Sequence, residues 1–337
     1  MKDPVFSRRD ALATLSAAIL APRAARADSA FAPAATLARG LDQLHALLIS
    51  QDGALAVAQT FRGPGLDTPV NVKSVSKTLV SALCGIALER GEIPSVDAPV
   101  APYLGRVIPR RGDDRLRQIS FRHLLTMQSG LTPFAGSTYG GWVAGDHWIY
   151  DALSAPMVAD PGTERLYSTA NTHILGTALA NAADTDLHRL AQERLGDPLD
   201  LALPPWTRDP QGNYLGGNDM RVSPRGMLRF GQAYLHGGQL DGTRIVPKTW
   251  VDASWRPTAP ADIPGHAYGY GWFLWTVDGV QVRYARGYGG QMIYVVPDRR
   301  LVVVMTSDIS RPATMAGHLG RLHALVEGVI LPASDRA

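Results

Sequence analysis

Val72-Lys73-Ser74-Val75-Ser76-Lys77-Thr78-Leu79-Val80-Ser81-Ala82-Leu83-Cys84-Gly85-Ile86-Ala87-Leu88-Glu89-Arg90-Gly91 holds both a fold signal and a chemical one. From Ser76 to Arg90 the apolar Leu79, Val80, Leu83, Ile86 and Ala87 recur at three- and four-residue steps, and Gly91 suits a left-handed stop, which predicts a helix. Cys84, the sole cysteine, falls on the apolar face and reads as a small buried hydrophobe. Ser74 stands where the helix begins, and Lys77 lies one turn later on the same face. A serine hydroxyl is a weak nucleophile until a base takes its proton, and a lysine kept neutral by burial or by a cationic neighbour can be that base. The helix N-terminus adds N–H groups that favour a developing oxyanion. With 18 Ser and 4 Lys in 337 residues, about 0.2 Ser-x-x-Lys matches are expected by chance. The bland reading is a serine N-cap followed by a solvated lysine, although lysine is unfavourable near the positive end of a helix.

Outward from this helix the chain divides. Thr36 to Ser50 carries Leu37, Leu41, Leu44, Leu47 and Leu48 at helical spacing and is expected to be an amphipathic helix; Ala54 to Phe61 reads as a strand. From about residue 101 to 251 helical segments, including Phe121 to Met127, Thr172 to Asn181 and Pro224 to Leu235, alternate with Pro- and Gly-rich loops. Past 252 the pattern turns to short β-rich runs at Tyr268–Thr276, Val280–Arg286, Gln291–Val296 and Leu301–Ser307, then a last helix over Thr314–Ile330. An α/β (α+β) fold follows: one antiparallel sheet flanked by helices, built from residues 28–100 and 252–337, with a mostly α-helical domain at 101–251.

The formal charge of +3 sits in residues 1–27, where five basic residues meet two acidic ones, so the remainder is balanced and has no electrostatic footprint for nucleic acid. That front segment carries Arg8-Arg9, an uncharged run from Ala11 to Ala21 and Ala25-Arg26-Ala27, which reads as a twin-arginine signal peptide with an Ala-x-Ala cleavage site. The expected partner is then the twin-arginine export machinery, and the expected location periplasmic or secreted. No run of about 18 apolar residues offers a membrane span. One cysteine in an oxidising compartment allows no internal disulfide.

No Gly-x-Ser-x-Gly, His-Glu-x-x-His, Gly-x-x-x-x-Gly-Lys or Cys-x-x-Cys is present, so α/β-hydrolase, metal and nucleotide readings lose their main support. His318 and His323, five apart, point to different faces and are expected at the surface or in packing. A second element is Pro161-Gly162-Thr163-Glu164-Arg165-Leu166-Tyr167-Ser168-Thr169-Ala170-Asn171, and a third is Arg286-Gly287-Tyr288-Gly289-Gly290-Gln291. With Ser74-x-x-Lys77, and with Phe121–Leu131 and Tyr268–Trp272, these resemble the serine β-lactamase-related superfamily of class C type. That group includes class C β-lactamases, D-amino-acid carboxypeptidases, β-lactamase-fold esterases and 6-aminohexanoate-oligomer hydrolases. The likeness covers nearly the whole chain after the leader.

The resemblance implies a β-lactamase/penicillin-binding-protein-like fold and a cofactor-free, metal-free serine hydrolase acting on a small ester or amide. Ser74 is then the acylated nucleophile, Lys77 its base partner and Tyr167 the phenol that moves a proton to the leaving group; alone, Tyr167 reads as a packed core tyrosine. The N–H groups of Ser74 and Tyr288 would form the oxyanion hole. Thr169, Arg286 and Gly287 would face the substrate, and Tyr139 and Trp142, in a loop resembling the family's variable lid, would line an acyl pocket or pack the domain junction. Two departures bear on substrate: Thr169 stands where strong β-lactam chemistry goes with Tyr-x-Asn, and Ala285-Arg286-Gly287 lacks the lysine of Lys-Thr-Gly. Both favour ester or small-amide hydrolysis over a D-peptidase or weak β-lactamase, and a non-catalytic penicillin-binding or sensor module is the alternative of another class.

Overall fold

The computed structural model describes residues 30–336. The leader reading lies outside the described residues. A helix over 30–39 (α1) leads into β1 (Leu44–Gln51) and β2 (Ala54–Thr60). The long helix α2 (Ser76–Glu89) follows, preceded by a tight 3₁₀ turn over Lys73–Val75. The helical region contributes α3 (Thr169–Ala182) among shorter helices, whereas α4 (Pro224–Leu235), expected within the helical domain at 101–251, packs on the sheet. The chain then returns through β3 (Ala259–Pro260), β4 (His266–Tyr268), β5 (Phe273–Val277), β6 (Val280–Gly287), β7 (Gln291–Val296) and β8 (Leu301–Ser307) to the C-terminal helix α5 (His318–Leu325).

These eight strands form one antiparallel sheet in the order β2-β1-β8-β7-β6-β5-β4-β3, so both ends of the chain meet where β1 pairs with β8, Leu47 opposite Met305. Alternation along the strands separates two cores. Ala46, Leu48, Ile293, Val295, Val302 and Val304 face α2, α4 and the helical region, whereas Leu47, Ile49, Tyr294, Val303 and Met305 face α1 and α5. Helix α4 comes close enough that a β-carbon on Gly231 would stand 2.6 Å from Val302 Cγ1.

The sheet corrects one sequence expectation outright: Thr36–Ser50 is not one helix but the end of α1, a break at Gly40–Gln43, and β1. β1 is central in the sheet and seven of its eight residues are buried. A strand covered on both faces is a continuous apolar run, and leucine spacing within such a run imitates a helical stripe. Tyr268–Thr276 is likewise two strands, split at Gly269–Gly271, where Gly271 adopts φ +76°. That break serves α2: Thr78 Oγ1 donates to the Gly271 carbonyl at 2.7 Å and Ser81 Oγ to the Tyr270 carbonyl at 2.8 Å. The last helix begins at His318 rather than Thr314, and Cys84, His318 and His323 are all buried. No helix among the described residues is long and apolar enough to cross a membrane.

Candidate active site

The turn Lys73–Val75 sets Ser74 half-buried at the mouth of α2, while Lys77, in the first turn of α2, is 3% exposed. Lys77 Nζ stands 3.1 Å from Ser74 Oγ, 3.2 Å from Thr169 Oγ1 and 2.5 Å from the carbonyl oxygen of Gly217. Gly217 reaches Lys77 because it lies flat on the start of α3: a β-carbon there would be 2.6 Å from the Thr169 carbonyl oxygen. Tyr167 precedes α3, and its ring centroid is 5.1 Å from Lys77 Nζ.

Burial pushes the Lys77 ammonium below the ordinary lysine value of 10.5, against the pull of Tyr167 and Asp219. Burial alone would raise the Tyr167 phenol. The Lys77 charge, a hydrogen bond with Ser74 and the charge of Arg286 outweigh it and hold the phenol below its ordinary value of 10.0. Arg165 lies over the Tyr167 ring at 5.6 Å and the Tyr268 ring at 4.6 Å, with its guanidinium 2.7 Å from Asp262.

Strand β6 closes the other side. A β-carbon on Gly287 would stand 2.2 Å from the Val72 carbonyl oxygen, so only glycine lets the strand end lie against the Ser74 turn. Arg286, Gly287 and Tyr288 therefore border the same cavity as Ser74 and Tyr167. The cavity holds about 730 Å³. Its lining also includes Tyr139, Asn218, Lys73 and Thr169, and the apolar Ile263, Ile309, Ala313, Met315 and Leu319 with Asp262 and Thr314 among them.

Of the residues expected at the site, Ser74, Lys77, Tyr167, Thr169, Arg286, Gly287, Tyr288 and Tyr139 are brought together. Trp142 is not. It is buried in the helical region behind Tyr139, whose ring it meets edge-on at 6.1 Å, stacked on Phe134 at 5.7 Å and donating Nε1–H to the Trp148 carbonyl at 2.8 Å. Sequence reasoning missed Arg165, Gly217, Asn218 and Asp219. Gly217 acts through its carbonyl, which any residue type possesses, and the Gly216-Gly217 pair was the only visible signal. Among the described residues no group of three or more His, Cys, Asp or Glu is placed to hold a metal ion.

A family model described as Beta-lactamase matches residues 35–327. The chain belongs to the β-lactamase family. This is a β-lactamase-fold family of serine hydrolases, and its curated members similar to this chain differ in chemistry. The D-alanyl-D-alanine-carboxypeptidase/endopeptidase AmpH of Escherichia coli K12 is 25% identical over 316 residues, covering 80% of each chain. Esterase EstB of Burkholderia gladioli is 30% identical over 149 residues, covering 40% of this chain and 38% of its own. A solved class C β-lactamase from Rhodobacter sphaeroides superimposes with a TM-score of 0.67 at 18% identity, over 90% of this chain and 99% of its own, a likeness of fold.

Proposed function

We propose that this β-lactamase-family chain hydrolyses a small ester or amide through an acyl-enzyme on Ser74, with Lys77 as the base and Tyr167 as the phenol that serves leaving group and water. One observation carries the reading. Lys77 Nζ, buried, lies 3.1 Å from Ser74 Oγ with the Gly217 carbonyl at 2.5 Å, Thr169 Oγ1 at 3.2 Å and the Tyr167 phenol also hydrogen-bonded to it, so a neutral amine held by these partners is within reach to take the Ser74 proton.

In acylation the Lys77 amine takes the Ser74 proton as Oγ bonds to the substrate carbonyl carbon, and the oxyanion faces the N–H groups of Ser74 and Tyr288. The ammonium formed at Lys77 acidifies the Tyr167 phenol, which gives its proton to the departing alkoxide or amine as the acyl–leaving-group bond breaks. The phenolate then takes a proton from water, the hydroxide attacks the acyl carbon, and the Ser74 ester is cleaved. The Lys77 ammonium returns its proton to the freed Ser74 oxygen and Tyr167 already holds the proton from water, so the cycle consumes only substrate and water.

The apolar share of the cavity lining, Ile263, Ile309, Ala313 and Leu319, suits an uncharged acyl or leaving group and supports the esterase or amidase branch. Arg286 supports a second reading, a carboxylate-bearing peptide or β-lactam, since it lines the cavity and has no ion-pair partner among the described residues. Export by the twin-arginine route to the periplasm or beyond belongs to the same proposal and rests on Arg8-Arg9 and Ala25-Arg26-Ala27.

The test is intact-protein mass spectrometry after exposure to a fluorophosphonate, a p-nitrophenyl ester and a penicillin. A phosphonyl adduct that Ser74→Ala abolishes, rapid ester turnover that Tyr167→Phe slows, and little penicillin adduct are expected. A long-lived penicilloyl adduct would transfer the proposal to the cell-wall peptidase branch, and no adduct from any probe would leave a binding protein.

A further inference from the structure

The turn that carries Ser74 rests on two non-glycine residues in left-handed backbone, Lys73 at φ +52° and Asp219 at φ +65°. Such a conformation costs free energy and persists only where its surroundings over-determine it. Here the two residues hold each other. Lys73 Nζ lies 2.9 Å from Asp219 Oδ1, and both side chains are mostly shielded from solvent. The same oxygen accepts from Asn71 Nδ2 at 2.8 Å, Oδ2 accepts from Thr207 Oγ1 at 3.1 Å, and Asn71 Oδ1 closes the ring by accepting the Lys73 N–H at 2.9 Å.

The backbone on either side of Asp219 grips the nucleophile segment at three further points. The Gly217 carbonyl accepts from Lys77 Nζ, the Met220 N–H donates to Ser76 Oγ at 3.1 Å, and the Met220 carbonyl accepts the Val72 N–H at 3.0 Å. Ser76 Oγ in turn donates to the Lys73 carbonyl at 2.6 Å. One four-residue segment thus sets both the turn that presents Ser74 and the carbonyl that aims Lys77.

We propose that Asp219, through its ion pair with Lys73, is a positioning residue that holds Ser74 Oγ against Lys77 Nζ and sets the pH range over which Ser74 is acylated. The inference rests on the reading of Ser74 as nucleophile and Lys77 as base. The groups acting on the Lys77 charge are the Tyr167 phenol and the Asp219 carboxylate, with Arg286 reaching it through Tyr167; Arg165, over the same ring, is matched by Asp262. Lys73 neutralises Asp219, so the two members of the pair push Lys77 in opposite senses.

The experiment is the second-order rate of fluorophosphonate labelling from pH 5 to 10 in wild type, Asp219→Asn, Lys73→Met and the double variant, with Ser74→Ala as control. Asparagine tolerates left-handed backbone and keeps an oxygen for Asn71, so the turn survives the first change. Asp219→Asn is expected to lower the plateau rate about ten- to a hundred-fold and to move the rising limb to lower pH, because the Lys77 ammonium loses a stabilising carboxylate. Lys73→Met is expected to move the limb to higher pH, because Asp219 is no longer neutralised. Limbs that coincide with wild type, or move the same way in both variants, would overturn the proposal; so would rates that track only the folded fraction. Should Asp219→Asn fail to fold, the direction of the Lys73→Met limb decides. Labelling that survives Ser74→Ala would show instead that the nucleophile itself was misassigned, whereas labelling lost in Ser74→Ala with unmoved limbs sinks only the role of Asp219.

Discussion

The sheet buries a titratable side chain on each face, and the two are treated in opposite ways. On one face Lys77 has three oxygen neighbours within 3.2 Å, and a 730 Å³ cavity opens beside it. On the other, His323 is packed among Trp275, Tyr284, Tyr294 and His266 at centroid separations of 5.0 to 5.7 Å, and neither ring nitrogen has a hydrogen-bond partner. Burial lowers the pKa in both places. For His323 it does so to about 3, with the nearby His266 and Arg286 adding to it. Desolvation by itself therefore does not mark a functional group. Polar partners and an adjoining cavity set Lys77 apart, and a buried ring without partners is packing that acid can attack.

The largest effect that would sharpen this contrast is at Lys77. Lys77→Met keeps the length and apolar stem but removes the proposed base, and turnover of a p-nitrophenyl ester is expected to fall about 10²- to 10⁴-fold, with the melting temperature held or raised because a costly buried amine has gone. On the proposed mechanism the neutral amine is the active form, so the rate should rise with pH through an inflection below 10.5. A variant that retains wild-type turnover would place the base elsewhere.

The second prediction concerns stability on the opposite face. A histidine whose pKa falls from the ordinary 6.5 to about 3 on folding stays neutral while the unfolded chain takes a proton. Its contribution is fully present above pH 6.5 and is lost as pH falls towards 3, at up to ~1.4 kcal/mol per pH unit. His323→Phe should flatten the fall in denaturation midpoint between pH 6.5 and 4.5 without changing ester turnover at pH 7. An unchanged acid slope would mean that His266 or His318, each lowered to about 4 chiefly by burial, carries it.

These two faces were unequally legible in the sequence. Ser74 and Lys77 were readable because one helical turn converts a three-residue spacing into contact, and Tyr167 because its segment resembles a known one. The strands from Val280 to Ser307 were readable because Asp278-Gly279 and Pro297–Arg300 punctuate them. β1 was not, since a strand covered on both faces has lost the alternation that identifies strands. Nor was Asp219, which meets Lys73 across 146 positions through a turn whose left-handed backbone leaves no residue-type signature. The burial of His323 was beyond reach for a related reason: its neighbours come from β4, β5, β6 and β7, and helical spacing on its own segment reports nothing about them.

The smallest expected effects divide two aromatics on one short helix. Tyr139 borders the cavity, its hydroxyl accepting from Asn218 Nδ2 at 3.0 Å, whereas Trp142, three residues on, is 4% exposed and spends its only N–H on the Trp148 carbonyl. Trp142→Phe leaves that carbonyl unpaired and a gap beside His173, which should cost ~1–3 kcal/mol in denaturant unfolding while kcat and KM stay at wild-type values. Tyr139→Phe removes a half-buried hydroxyl and frees the Asn218 amide at the cavity wall, so stability should change by less than ~1 kcal/mol while KM moves a few-fold. If Trp142→Phe moved KM and Tyr139→Phe did not, the substrate would reach past Tyr139 to the Trp142 ring packed behind it. The cavity wall would then run through the aromatic cluster of Phe134, Trp142 and Trp148 instead of along Tyr139 and Asn218.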